Sequence, residues 1–151
     1  MKKIAIVHMI LIMIAVLALP SAVSAGGRPF STTLTGEAEV TAAGVPNQGD
    51  LDGIGTAHIT LNQGQNEICY ELNVSGITLP AAAAHIHVGP STTTGPVVVG
   101  LSAPNANGVA SGCVSVAPDL IKAIRQNPEA YYVNVHTSDF QAGALRGQLS
   151  K

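Results

Sequence analysis

Gly53-Ile54-Gly55-Thr56-Ala57-His58-Ile59-Thr60-Leu61, followed by Asn62-Gln63-Gly64-Gln65-Asn66 and then Glu67-Ile68-Cys69-Tyr70-Glu71-Leu72-Asn73-Val74, reads as a β-hairpin. Successive side chains of an extended chain point to opposite faces. Ile54, Thr56, His58 and Thr60 therefore share one face, and Gly55, Ala57, Ile59 and Leu61 the other. On the return, Ile68, Tyr70, Leu72 and Val74 alternate with Glu67, Cys69, Glu71 and Asn73. Two runs of period two around a polar, glycine-containing turn make a half-buried antiparallel pair.

The same grammar extends in both directions. Phe30 to Val40 alternates loosely and leads into the polar connection Ala43 to Asp50. Downstream lie strand-like segments at Ala83–Val88, Val97–Leu101, Val109–Val116, Tyr131–Thr137 and Ala144–Leu149. The β-branched run Val97-Val98-Val99 predicts a strand buried on both faces. One short helix is expected at Pro118–Gln126. Pro suits the first turn, Asp119 and Lys122/Arg125 match the two ends of the dipole, and Leu120, Ile121 and Ile124 form an apolar stripe that Pro128 terminates. Many short strands separated by turn residues predict an all-β antiparallel sandwich or barrel, with the helix near 118–126 closing one end.

The first residues read as a processing signal. Lys2 and Lys3 precede the apolar run Ile4 to Leu19, interrupted only by His8, and Val23-Ser24-Ala25 presents small residues for cleavage. Residues 1–25 are thus expected to be a signal peptide and 26–151 a single domain, secreted or otherwise extracytoplasmic, with no stable membrane insertion after cleavage. From Gly26 onward, five cationic side chains (Arg28, Lys122, Arg125, Arg146, Lys151) stand against nine acidic ones, a net charge of −4 with neutral histidines. That balance argues against nucleic acid or an anionic membrane surface as partner. The two cysteines, Cys69 and Cys113, sit in separate strand-like segments. A disulfide is the expected state outside the cytoplasm; a reactive thiolate would need a basic neighbour that neither has in sequence.

The chemistry concentrates in Ala84-His85-Ile86-His87-Val88-Gly89 and Tyr132-Val133-Asn134-Val135-His136-Thr137. His85 and His87 share a strand face, about 7 Å apart at Cα, while Ile86 and Val88 take the other. If Val133 and Val135 face the core, Asn134 and His136 face outward beside them. His85, His87 and His136 are the candidate metal ligands, with Asn134 beside them and His58 a candidate fourth. For His58 the alternative is an exposed strand histidine; for the trio, it is hydrogen bonding to backbone and Asn134. Imidazole donors without a carboxylate cluster favour copper, with zinc the alternative, over calcium or magnesium. Arg146, in the middle of the closing strand, needs a partner. It reads either as a structural clamp, on carbonyls or on Asp139 or Glu129, or as a guide for an anion beside the histidines. A nucleophile elbow, a phosphate-cradling loop and a His-Glu-x-x-His motif are all missing.

Four ordered motifs carry a family resemblance: Ala84–Gly89, Gly95-Pro96-Val97-Val98-Val99-Gly100-Leu101, Tyr132–Thr137 and Gly143-Ala144-Leu145-Arg146-Gly147-Gln148-Leu149. Together they resemble the chordin-type (CHRD) domain, from about Thr33 to Leu149, as in single-domain secreted microbial members. A more distant similarity links the His-x-His strand, the Val-x-Val-His strand and Ala142-Gly143-Ala144-Leu145-Arg146 to the copper-site strands of Cu/Zn superoxide dismutase. It implies a Greek-key sandwich, copper ligation by His85, His87 and His136, and an anion-guiding Arg146. The chain lacks that enzyme's bridging histidine and zinc set. The expectation is a secreted CHRD-domain protein binding a transition metal through three histidines and more a binding module than an enzyme. The alternatives are a dismutase-like copper enzyme and a metal-free structural or adhesive β-domain.

Overall fold

A computed structural model describes residues 27–150 of the chain. The signal peptide expected at 1–25 lies outside the described residues. Eight strands form one sheet: β1 (Arg28–Thr35), β2 (Ile54–Asn62), β3 (Glu67–Ser75), β4 (Ala83–Val88), β5 (Val97–Leu101), β6 (Val109–Ser115), β7 (Tyr131–His136) and β8 (Leu145–Gln148). A single α-helix, α1 (Pro118–Gln126), and a 3-10 turn at Pro128–Ala130 sit between β6 and β7. No helix among the described residues is long and apolar enough to cross a membrane.

The strand order is β5-β4-β7-β8-β1-β2-β3-β6, every pairing antiparallel. The two edge strands, β5 and β6, approach one another, so the sheet curls into a nearly closed barrel. Around it the order is β1-β2-β3-β6-β5-β4-β7-β8. The β3–β4 and β6–β7 connections cross the barrel's ends, the Greek-key pattern.

The hairpin supplies the clearest alternation: Ala57, Ile59, Leu61, Ile68, Leu72 and Val74 point into the core and their neighbours point out. Ile86, Val133, Val135 and Leu145 meet them from the opposite wall, and Ile121 and Ile124 of α1 complete the core. Cys69 and Cys113 are cross-strand partners in β3 and β6 and form a disulfide.

Two sequence expectations are corrected. The Val97-Val98-Val99 run is not buried on both faces: Val97 is 49% exposed and only Val99 is fully buried. β5 is an edge strand whose pairing with β4 shifts register between Ile86 and His87. β-branched residues there satisfy strand propensity without a covering layer. The first strand ends at Thr35 and does not run to Val40. At Gly36 the backbone passes so close to Asp50 that a Cβ would lie 1.9 Å from the Asp50 carbonyl oxygen, and the chain turns away there.

That turn builds the second layer of the molecule. Residues 36–50 and the 89–96 loop fold over the outer face of β4, β7 and β8, tied by Asp50 N–H donating to Ala144 O (2.9 Å) and Thr93 Oγ1 donating to Ala42 O (3.1 Å). On the face carrying the histidines, His87 is buried, while His85 and His136 keep part of their surface in water.

Candidate metal centre

β4 and β7 pair with His85 opposite Asn134, His87 opposite Tyr132 and His136 opposite Ala83. Ala84 and Ile86 are sunk in the core, so His85 and His87 must stand on the outer face; Val133 and Val135 do the same for His136. The three imidazoles converge, each offering a ring nitrogen within 4.8 Å of the other two. The closest approach is His85 Nδ1 to His136 Nε2, 3.1 Å.

Hydrogen bonds decide which nitrogens are free. His87 Nδ1–H donates to Gly95 O (2.8 Å) and His136 Nδ1–H donates to Gln141 O (3.0 Å). A neutral imidazole that donates from Nδ1 keeps its lone pair on Nε2. His136 Nε2 accepts from His85 Nδ1–H, whereas His87 Nε2 is buried with no hydrogen-bond partner. A buried acceptor left without a partner costs about 1–3 kcal/mol, and an ion would remove that cost.

Burial favours the neutral ring at His85 and His136. His85 is held below the usual histidine pKa by burial first and by the nearby His87 second. His136 is also lowered, mainly by burial, with repulsion from His85 and His87 outweighing part of the Gln141 hydrogen bond that opposes it. Metal ligation requires the unprotonated ring.

His87 is locked in orientation. Its ring stacks on Tyr132 at 4.8 Å between centroids and 10° between planes. The Arg146 guanidinium carbon also lies over Tyr132, 3.5 Å from the ring centroid. Arg146 donates to Thr93 O (3.1 Å) and Pro90 O (2.6 Å), and Tyr132 Oη accepts from Gly95 N–H (3.1 Å). The 89–96 loop is therefore clamped from below by Arg146 and Tyr132, and it presents the carbonyl that sets the His87 tautomer. Supports of this kind fix ligand direction.

Sequence reasoning named Asp139 or Glu129 as the acid for Arg146; the structure supplies Glu39 instead, at 3.9 Å. Asp139 accepts from Thr78, and Glu129 contributes only its carbonyl, to Gln148. At 1% exposure, with its donors turned into the loop, Arg146 has the contacts of a structural clamp. Burial pulls its pKa below the usual value, while Tyr132 and Glu39 push it back up. Asn134 donates to the Glu39 carboxylate, so the residue expected beside the histidines ties the 36–50 loop to the sheet. His58 does not join the cluster: it is exposed on β2, its Nδ1 2.7 Å from Ser31 Oγ.

Glu39 and Tyr132 are the participants that sequence reasoning missed. Glu39 sits in a loop of ordinary polarity and carries no signal. Tyr132 had one, as an aromatic residue opposite a histidine in neighbouring strands, but only if the register were known.

The CHRD-domain family model matches residues 30–149, which spans the barrel and both covering loops. The chain belongs to the CHRD-domain family. No curated protein and no solved structure matches it. In this CHRD domain the four family-like motifs fall on β4, β5, β7 and β8, the strands that carry and support the histidine cluster.

Proposed function

We propose that this CHRD domain is a secreted binding module for one transition-metal ion, with His85, His87 and His136 as its protein ligands and copper as the preferred ion. The observation that carries the reading is His87 Nε2, buried and unpartnered beside two other imidazoles. Three nitrogens arranged around one ion at about 2.0–2.1 Å lie about 3.5 Å from one another. From a widest separation of up to 4.8 Å the cluster closes by about 1 Å, a movement that partly exposed His85 can supply by side-chain rotation after its proton moves from Nδ1 to Nε2.

Three imidazoles without a thiolate or carboxylate suit copper or zinc, and copper binds the tighter of the two divalent ions. The cysteines are joined to each other and take no part. A binding role is favoured over dismutase chemistry because Arg146 is occupied by loop carbonyls. The disulfide and the expected leader support an extracytoplasmic setting.

Metal analysis provides the test. Protein purified without an affinity tag, loaded with copper(II) and dialysed, retains about one equivalent, and zinc loading is weaker. His87→Ala, checked for folding by circular dichroism, loses that retention. Absence of stoichiometric metal from the wild type, or undiminished retention in His87→Ala, sinks the proposal. Rapid superoxide consumption by the loaded protein would favour the enzyme.

A further inference from the structure

We infer that a second binding site, for an acidic glycan, lies at the end of the barrel between Arg28, Gln63, Lys122, Arg125 and Gln126. These residues come from the start of β1, the β2–β3 turn and the last two turns of α1, and they line a hollow of about 470 Å³.

The distribution of charge is the reason. The described residues contain four Lys or Arg side chains, and Arg146 is buried over Tyr132. The remaining three all line this one hollow, and no carboxylate lines it. In a chain with an excess of acids, exposed cations would ordinarily disperse among them. Here none of the three has a carboxylate within salt-bridge distance among the described residues. The cost of gathering like charges is recovered when an anion binds.

The lining also speaks to the kind of anion. Arg28 and Arg125 offer guanidinium forks that match the two oxygens of a carboxylate or sulfate. Lys122 adds a point charge, and the amides of Gln63 and Gln126 can both donate to and accept from hydroxyl groups. Arg125 is already oriented, its Nη1–H donating to Gln63 Oε1 at 3.1 Å. The volume falls within the range of ligand sites and exceeds what one small oxyanion fills. Carboxylates or sulfates spaced along a hydroxyl-rich chain meet all three conditions. The site is independent of the histidines and stands whether or not they bind metal.

Calorimetric titration of the mature chain tests it, using oligogalacturonate, a sulfated dextran oligomer of similar length, fully methyl-esterified oligogalacturonate and inorganic phosphate as probes. The expected result is binding of at least one charged oligomer, weakened by salt, with none of the esterified one. The first two probes distinguish carboxylate from sulfate as the recognised group. Arg125→Ala and Lys122→Glu, both exposed positions, should each weaken binding about tenfold, with partial recovery in Arg125→Lys, and leave the melting temperature within a few degrees. Failure of both charged oligomers to bind, equal binding of the esterified oligomer, binding of phosphate alone, or affinity unchanged in Lys122→Glu would each overturn the assignment.

Discussion

Gly95 shows how one residue can govern the histidine cluster without belonging to it. Its carbonyl accepts from His87 Nδ1, its N–H donates to Tyr132 Oη, and a Cβ there would lie 1.7 Å from Val88 O. Gly95→Ala must therefore displace the loop backbone and with it the carbonyl that orients His87. Copper affinity is expected to fall by about 10–100-fold, with a stability loss of about 1–3 kcal/mol. Competition with a chelator and urea unfolding measure the two. A second residue-scale expectation concerns pH. His85 and His136 have folded pKa values below 6.5, so as pH falls through 6.5 the unfolded chain takes up protons before the folded one. Stability of the metal-free protein is thus fully present above that value and declines below it. A urea midpoint that stayed flat or rose between pH 7 and pH 5 would contradict the assignment of these two histidines as neutral in the folded state.

Among the elements, α1 is bounded by local signals, whereas the burial of β5 is set by distant ones. The bounds of α1 follow from Pro118, the apolar stripe and Pro128, all local signals. The helix nevertheless starts without a side-chain cap, because Ala117 has no side-chain acceptor. Ala117→Asp should accept backbone N–H bonds there and complement the dipole, stabilising the protein by about 0.5–1 kcal/mol. A thermal melt raised by a few degrees is the expected readout. In β5 a β-branched triplet sets strand propensity, whereas burial depends on whether another layer covers the strand. Residues 36–40 leave the strand for the same reason: the turn at Gly36 is dictated by proximity to Asp50, a neighbour only after folding.

For the whole molecule, the barrel's weak seam lies between β5 and β6, and the Cys69–Cys113 disulfide binds β6 to β3 across a sequence separation of 44 residues. Replacing both cysteines by alanine should cost about 2–4 kcal/mol, chiefly by freeing the unfolded chain. Copper retention should survive, since the histidines lie on β4 and β7 in another part of the sheet. Equilibrium unfolding together with metal analysis separates those outcomes, and loss of retention in a still-folded double variant would show the site to be coupled to the seam.

Alternation in the chain was enough to predict an antiparallel β-sandwich or barrel with one short helix and the core-facing sides of β2, β3, β4 and β7, and hence that His85, His87 and His136 share the outer face. These are consequences of strand periodicity, which operates over a few residues. Only the tertiary structure decided that β4 lies against β7 in the register that brings the three rings together, that Glu39 partners Arg146 while His58 stays apart, and that the 89–96 loop brings the Gly95 carbonyl to His87. Those facts depend on contacts between residues as far apart in the chain as Glu39 and Asn134, where local periodicity carries no information.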